Sequence, residues 1–261
     1  MAKQTNGNDE AKIRAYSLNL QRQSIRKTML ILSLLLFPIT FYYLSPYLIL
    51  LAIADGIMAG SFIVFIAMGI SAVFFGRLFC GWICPAAGLQ EIATLANNKR
   101  NKGKWRKWIK YVIWAPWVGM MVALGMKAGG INKVDFLYQT WHGISVSEPE
   151  AYIIYYAVLI VILVVALIGG RRSFCHSVCW MAPFMQLGML LRRVLKLPGL
   201  KLTAEKENCI SCKQCSNKCV MSLDVMALVK KGKIESLDCS LCGECVDACP
   251  KHVIRYRFTN K

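Results

Sequence analysis

GRLFCGWICP, Gly76 to Pro85, ends an apolar run long enough to cross a membrane, and it sets two cysteines, Cys80 and Cys84, where lipid would give way to water. The pattern recurs. RRSFCHSVCW, Arg171 to Trp180, carries Cys175 and Cys179 after a second such run. In each copy a phenylalanine precedes the first cysteine, and Arg77 or Arg172 stands three residues before it. C-x3-C on a helix predicts both thiols on one face, a turn apart. Two such pairs on adjoining helices would present Cys80, Cys84, Cys175 and Cys179 around one site: a third iron–sulfur centre, a thiol relay or a transiently held metal. Buried cysteine is also an ordinary small hydrophobe. Two matched pairs, in a chain whose twelve cysteines all fall into clusters, favour function. Arg77, Arg171 and Arg172 would lower thiolate pKa values or offset cluster charge. Equally, they would serve as positive-inside anchors.

Outward from these motifs, the chain of 261 residues is 56% hydrophobic, a composition that favours membrane insertion. Its formal charge of +18 would suit a nucleic-acid binder, but the distribution of that charge argues otherwise. Six Lys/Arg precede the first apolar run, eight lie from Arg77 to Lys110 and seven from Arg171 to Lys206, whereas the intervening loops hold only Lys127 and Lys133. That alternation follows the positive-inside rule and suits an anionic cytoplasmic leaflet. A transmembrane helix needs about 20 mostly apolar residues. Four segments qualify: Thr28 to Ala54, kinked or unwound at Pro38 and Pro46; Ile57 to Phe75, after a turn at Asp55-Gly56; Trp108 to Met126; and Ala151 to Gly170. Residues 28–179 are thus expected to form an α-helical membrane domain of four transmembrane helices. The basic segment 1–27 lies on the cytoplasmic side and has no signal-peptide pattern, so the first run reads as a retained anchor. Residues 180–199, interrupted by Gln186, Arg192, Arg193 and Lys196, read as an amphipathic helix lying in the interface.

Residues 200–261 turn polar and cysteine-rich, too short to be stable on an apolar core alone. CISCKQCSNKC and CSLCGECVDACP each read C-x2-C-x2-C-x3-C, the bacterial ferredoxin run for a pair of [4Fe–4S] clusters. Three thiolates of each run wrap one cubane and the fourth reaches the other. Cys209, Cys212, Cys215 and Cys249 are therefore expected to hold one cluster, and Cys239, Cys242, Cys245 and Cys219 the second. Zinc needs fewer ligands in separated pairs, and disulfides are disfavoured on a cytoplasmic face. Val220 stands where the first run usually has proline; Pro250 keeps it in the second. VMALVKKGKIES reads as strand, Lys-Gly turn and strand, and the flanks LKLTAE and VIRYRF as strands that pair. The expected architecture is a small α+β ferredoxin-like domain stabilised by its metal.

Four helices, paired C-x3-C motifs beginning FCGWICP and a terminal double-cubane domain together resemble the NapH/NosR-type membrane polyferredoxins, over nearly the whole chain after about Arg22. The resemblance implies an integral inner-membrane protein that carries electrons from quinol or another donor, through cytoplasmic-side clusters, to a partner reductase. It would be the electron-transfer subunit of an oxidoreductase, with quinol dehydrogenase as the candidate activity. The sequence departs at Trp180, where the family pattern has proline, and it has no large flavin-bearing extracytoplasmic domain. The alternative is a metal-handling protein similar to the CcoG-type branch, in which the four membrane cysteines bind or reduce copper with electrons from the ferredoxin domain. A passive anchor with redox-silent clusters is the third class.

A quinol site needs a proton acceptor beside a lipid-accessible pocket. The loop after Gly130 offers Asp135, Trp141-His142, Glu148 and Glu150, although an interfacial aromatic belt explains most of that composition. His176 would ligate metal, relay a proton or cap its helix. His252 reads as surface, and Asp55 as part of its turn, near the membrane edge. No phosphate-binding glycine loop, HExxH pair or Ser-His-Asp set is present.

Overall fold

The computed structural model describes residues 7–101, 103, 105–140 and 151–259. Helix α1 (Gly7–Leu35) meets α2 (Phe37–Tyr43) at a bend of 87°. Pro38 lacks the N–H that would carry the helix through. Pro46 opens α3 (Pro46–Ala54), capped by Ser45 Oγ, which accepts from Leu48 N at 3.4 Å. The first expected span is therefore three helices. The second is a strand, β1 (Ile57–Ala59), followed by α4 (Gly60–Phe75). Next come α5 (Leu78–Trp82), α6 (Pro85–Ala93), α7 (Arg106–Lys127), β2 (Lys133–Asp135) paired in parallel with β1, and α8 (Ala151–Gly169). Among the described residues two helices are long and apolar enough to cross a membrane, α7 and Tyr152–Gly169 of α8. Counting the bent α1–α2 pair as one span makes three, and α4 is a shorter apolar helix of 16 residues. Of the four expected spans, α7 and α8 are continuous among the described residues, the first is broken at Pro38 and Pro46 as its prolines suggest, and the second begins with β1 and leaves a helix of 16 residues.

After α8 come α9 (Ser173–Ser177) and α10 (Met181–Leu195). α10 packs on α4 so closely that a Cβ at Gly188 would sit 2.4 Å from the carbonyl oxygen of Gly69. Met185, Gly188, Met189 and Arg192 are buried on that side, while Leu187, Leu191 and Val194 are exposed on the other.

The tail is built from β3 (Gly199–Ala204), α11 (Gln214–Lys218), α12 (Val225–Lys230), β4 (Lys233–Ile234), α13 (Glu244–Asp247) and β5 (Ile254–Thr259). β3 is the central strand of an antiparallel sheet in the order β4-β3-β5, with Leu202 opposite both Ile234 and Tyr256. The expected flanking strands are present. The strand expected from Val225 is instead α12. Asp224 caps it by accepting from Ala227 N at 3.2 Å, and Ser216 Oγ accepts from Met226 N at 2.8 Å. These local caps outweigh the β propensity of the valines.

The two ends of the molecule differ. At one, Tyr138 donates to Asp55 Oδ2 at 2.5 Å beside the β1–β2 pair. At the other, both C-x3-C motifs meet the tail.

Candidate redox site

Each cysteine motif breaks its helix between the two thiols. Ile83 N and Cys84 N both donate to Phe79 O, at 2.9 and 3.0 Å; Val178 N and Cys179 N donate to Phe174 O at the same two distances. Cys84 is extended, with φ −60° and ψ 121°, the region favoured for a residue before proline. The expectation of two thiols on one face of one helix is corrected accordingly: the second cysteine of each pair starts a new direction. Trp180, in place of proline, leaves this turn unchanged. All four cysteines are buried, and Cys84 lies within electrostatic range of Cys80, Cys175 and Cys179. The fold thus brings the two pairs together.

The two repeats grip each other reciprocally. Gln90 and Met185 stand at equivalent positions beyond Cys80 and Cys175. Gln90 Nε2 donates to Cys175 Sγ at 3.1 Å, and Met185 Sδ lies 3.3 Å from Cys80 Sγ. Gln90 Oε1 also accepts from Phe174 N at 3.1 Å. Neither residue stood out in the sequence, although superposing the two motifs would have paired them.

Charge surrounds this centre. Arg172 donates to Cys80 O at 2.7 Å and pairs with Glu91. Arg26 pairs with Glu91 at 2.5 Å and with Glu244 at 3.0 Å. Asp238 accepts from Lys107, Lys110 and Gln186, each at 3.0 Å, with Arg77 at 3.8 Å. Burial would raise both carboxyls. Instead Arg172 and Arg26 hold Glu91 below its ordinary range, and Lys110, Lys107 and Arg77 hold Asp238 well below it. Arg26, Arg77, Lys110 and Arg172 are all 1% exposed or less, and the carboxylates facing them are Glu91, Glu244 and Asp238. Arg77 Nε has no partner, and the electrostatic neighbours of this guanidinium are Cys80, Cys175, Cys179 and Asp238. Buried positive charge in excess of carboxylate calls for an anion. Four thiolates holding a cluster would supply it, so the residues present fit such a group. Among the described residues no three or more His, Cys, Asp or Glu are arranged to hold a single metal ion.

The tail docks directly on this layer. Trp82 Nε1 donates to Leu241 O at 3.1 Å, and a Cβ at Gly81 would meet Ser240 O at 2.2 Å, so only glycine admits this approach. His176 Nε2 lies 2.9 Å from Met221 O, and burial pushes its imidazole down to about 4. Arg171 donates to Asn217 O, and Arg100 to Leu223 O at 3.1 Å. Two cavities of about 20 Å³ sort the eight tail cysteines. One is lined by Cys209, Cys212, Cys215 and Cys249, the other by Cys219, Cys239, Cys242 and Cys245. Val220 does not disturb this sorting.

The remaining candidates lie apart. Asp135 Oδ1 accepts from Leu137 N at 3.0 Å, and Asp55 follows α3 as its cap. His252 is exposed, at φ +49°. Trp141, His142, Glu148 and Glu150 lie outside the described residues.

The family described as a 4Fe-4S binding domain matches the chain twice, at residues 57–103 and 153–198, one copy on each C-x3-C motif. A 4Fe-4S dicluster domain matches residues 208–254. Ferredoxin-type protein NapH of Haemophilus influenzae is 23% identical over 71% of this chain and 63% of its own length. The chain is a NapH-like polyferredoxin. This NapH-like protein is also 21% identical to the putative electron transport protein YccM of Escherichia coli, over 74% of the chain but only 54% of YccM. An uncharacterized protein of Methanocaldococcus jannaschii is 25% identical over 85% of the chain and 82% of its own length. No solved structure matches. The NapH-like chain is an iron–sulfur protein of electron transfer, and among its described residues two helices are long and apolar enough to cross a membrane.

Gln90 acts here as a positioning residue for the membrane cysteines. Replacing it by methionine, which copies the other repeat, removes an N–H from the Cys175 sulfur. Hydrogen bonds to sulfur tune such centres. The midpoint potential of a centre at these cysteines is therefore expected to fall by roughly 40 mV, about 1 kcal/mol for one electron. An EPR-monitored redox titration reads the shift, and the tail centres serve as the unchanged internal reference.

Proposed function

We propose that this chain is a multi-pass electron carrier of the cytoplasmic membrane, passing electrons between a membrane donor such as quinol and a partner oxidoreductase. The observation that carries the reading is the docking of the tail on the membrane cysteines through Gly81, Trp82 and His176. Cys209, Cys212, Cys215 and Cys249 would hold one [4Fe–4S] cluster, and Cys219, Cys239, Cys242 and Cys245 the other. Cys80, Cys84, Cys175 and Cys179 would hold a third centre. One-electron transfer is the chemistry these groups supply when bound. The protein's own part is to exclude water from the four membrane thiols, surround them with Arg77 and Arg172, and keep the tail within contact.

Orientation follows from charge. Arg22, Arg26, Arg77, Arg100, Lys107 and Arg171 all reach the tail. The N-terminal helix, every basic loop and the tail thus share one end, which the positive-inside rule assigns to the cytoplasm. The broken α1–α3 run, α4, α7 and α8 would then make four crossings, with α10 returning along α4.

In proteoliposomes, a membrane-soluble quinol should reduce the tail clusters of wild type at least about tenfold faster than those of a variant with all four membrane cysteines replaced by serine. A tenfold change is the effect of about 1.4 kcal/mol on a barrier. Equal rates would sink the route. A second reading, copper handling, draws on one observation, the Met185 thioether beside Cys80, since thiolate and thioether sulfur select Cu(I). Copper retained by wild type and lost in Met185→Leu would favour it.

A further inference from the structure

We propose that a cavity of about 350 Å³ at the seam of α1, α6 and the tail binds the headgroup of an anionic phospholipid. The inference rests on membrane insertion and is independent of the electron route. The polar wall of the cavity is basic. Lys27 enters from α1, Lys218 from the end of α11, and Arg171 and Arg172 from the turn before α9. Arg172 is 1% exposed, and its Nε has no partner. Among the described residues Arg171 is hydrogen-bonded to neutral groups, the Asn98 side chain, Asn98 O and Asn217 O. Lys27 and Lys218 are exposed, and neither makes an ion pair among the described residues. The two acids lining the cavity, Glu91 and Glu244, are already matched by Arg26 and Arg172. What remains is uncompensated positive charge around a partly enclosed space.

The rest of the lining is apolar: Leu30 is buried, and Ile31, one turn from Lys27 on α1, and Ile92 on α6 are 44% exposed. A ligand for this cavity needs an anionic, oxygen-rich head and a hydrocarbon tail. Free phosphate has the head without the tail and would leave the apolar wall wet. A zwitterionic lipid brings a quaternary or primary ammonium toward Lys27 and Lys218. A phosphatidylglycerol-type lipid meets both demands: its phosphodiester lies among the cations and its chain along Ile31 and Ile92. The position, where the apolar helices give way to the tail, is headgroup depth for a chain inserted as argued above.

The test uses the full chain, purified in mild detergent and stripped of lipid. Adding phosphatidylglycerol should raise the melting temperature by at least about 5 °C, the effect of ligand well above its dissociation constant on a protein of this size. Phosphatidylcholine and inorganic phosphate should leave it unchanged. The double variant Lys27→Gln/Lys218→Gln should lose most of the response. A charge-matched control, Lys230→Gln/Lys231→Gln at the exposed end of α12, should keep it. Equal shifts with phosphatidylcholine would overturn the anionic headgroup. An equal shift with inorganic phosphate would overturn the lipid as its source. A full response in the Lys27/Lys218 variant, or a response lost equally in the control, would remove the cavity as the site.

Discussion

Replacing Cys80, Cys84, Cys175 and Cys179 with serine should lower the iron content from about 12 to about 8 atoms per chain, three cubanes to two. Nothing else in the membrane domain offers thiolates, since every other cysteine of the chain lies in the tail. The size of the expected loss follows from charge as much as from ligand count. Arg77 and Arg172 are buried beside these sulfurs, and the carboxylates near them are shared with Arg26, Lys107 and Lys110. Neutral thiols would leave that positive charge only partly matched, by carboxylates that other cations share, in a low-dielectric setting. Thiolates around an iron–sulfur group answer it, because metal binding deprotonates cysteine. The serine variant should therefore lose stability along with iron. If it does not fold, the paired variant Cys80→Ser/Cys84→Ser gives a milder test of the same loss. Iron held at about 8 in wild type and variant alike would mean that the membrane cysteines serve copper or thiol chemistry instead. Acid-labile sulfide, measured on the same samples, separates a cluster from adventitious iron.

How far the sequence carried this site depends on the range of each interaction. The expected division of the eight tail cysteines rests on local spacing, and the fold places the same two sets of four around two cavities. C-x2-C-x2-C-x3-C determines which three sulfurs stay together, and the small domain can close only by lending the fourth to the other cavity. The flanking strands were legible by alternation, and β3 pairs with β5 as read. α12 was misread because VMALVK suits a strand or a helix equally, and the deciding contact comes from Ser216, ten residues before Met226. The broken turn of the first cysteine motif was partly written in Cys84-Pro85, since proline disfavours the helical conformation before it; the second motif makes the same turn without one. Gln90, Met185 and Asp238 were not legible singly. Each acts on a residue of the other repeat or the other domain, and such pairings exist only after the chain has folded.

Asp238→Asn should detach the tail from the membrane domain while leaving both tail cavities their four cysteines. Asp238 lies next to Cys239 in sequence, yet its charge partners are all in the membrane domain: Lys107 and Lys110 on α7, and Arg77 ahead of α5. Arg77 and Lys110 are 1% exposed or less, so water cannot replace the lost carboxylate. Removing one partner of a buried charge set typically costs about 3–5 kcal/mol, because the remaining charge stays buried and unpaired. That exceeds what the neutral contacts at Trp82 and His176 contribute, at about 1 kcal/mol for each hydrogen bond, and leaves the pairs Arg26–Glu244 and Arg22–Asp247 as the remaining charged links. The expected result is a protein with unchanged tail iron, a linker near Gly199 newly open to protease, and tail clusters no longer reduced from the membrane. Asp238→Glu, which keeps the charge on a longer arm, should restore most of the protection. If Asp238→Asn leaves both proteolysis and electron transfer unchanged, the Asp238 charge cluster does not hold the domains together, and the other contacts, among them Arg26 with Glu244, Arg22 with Asp247 and Gly81 against Ser240, carry the docking.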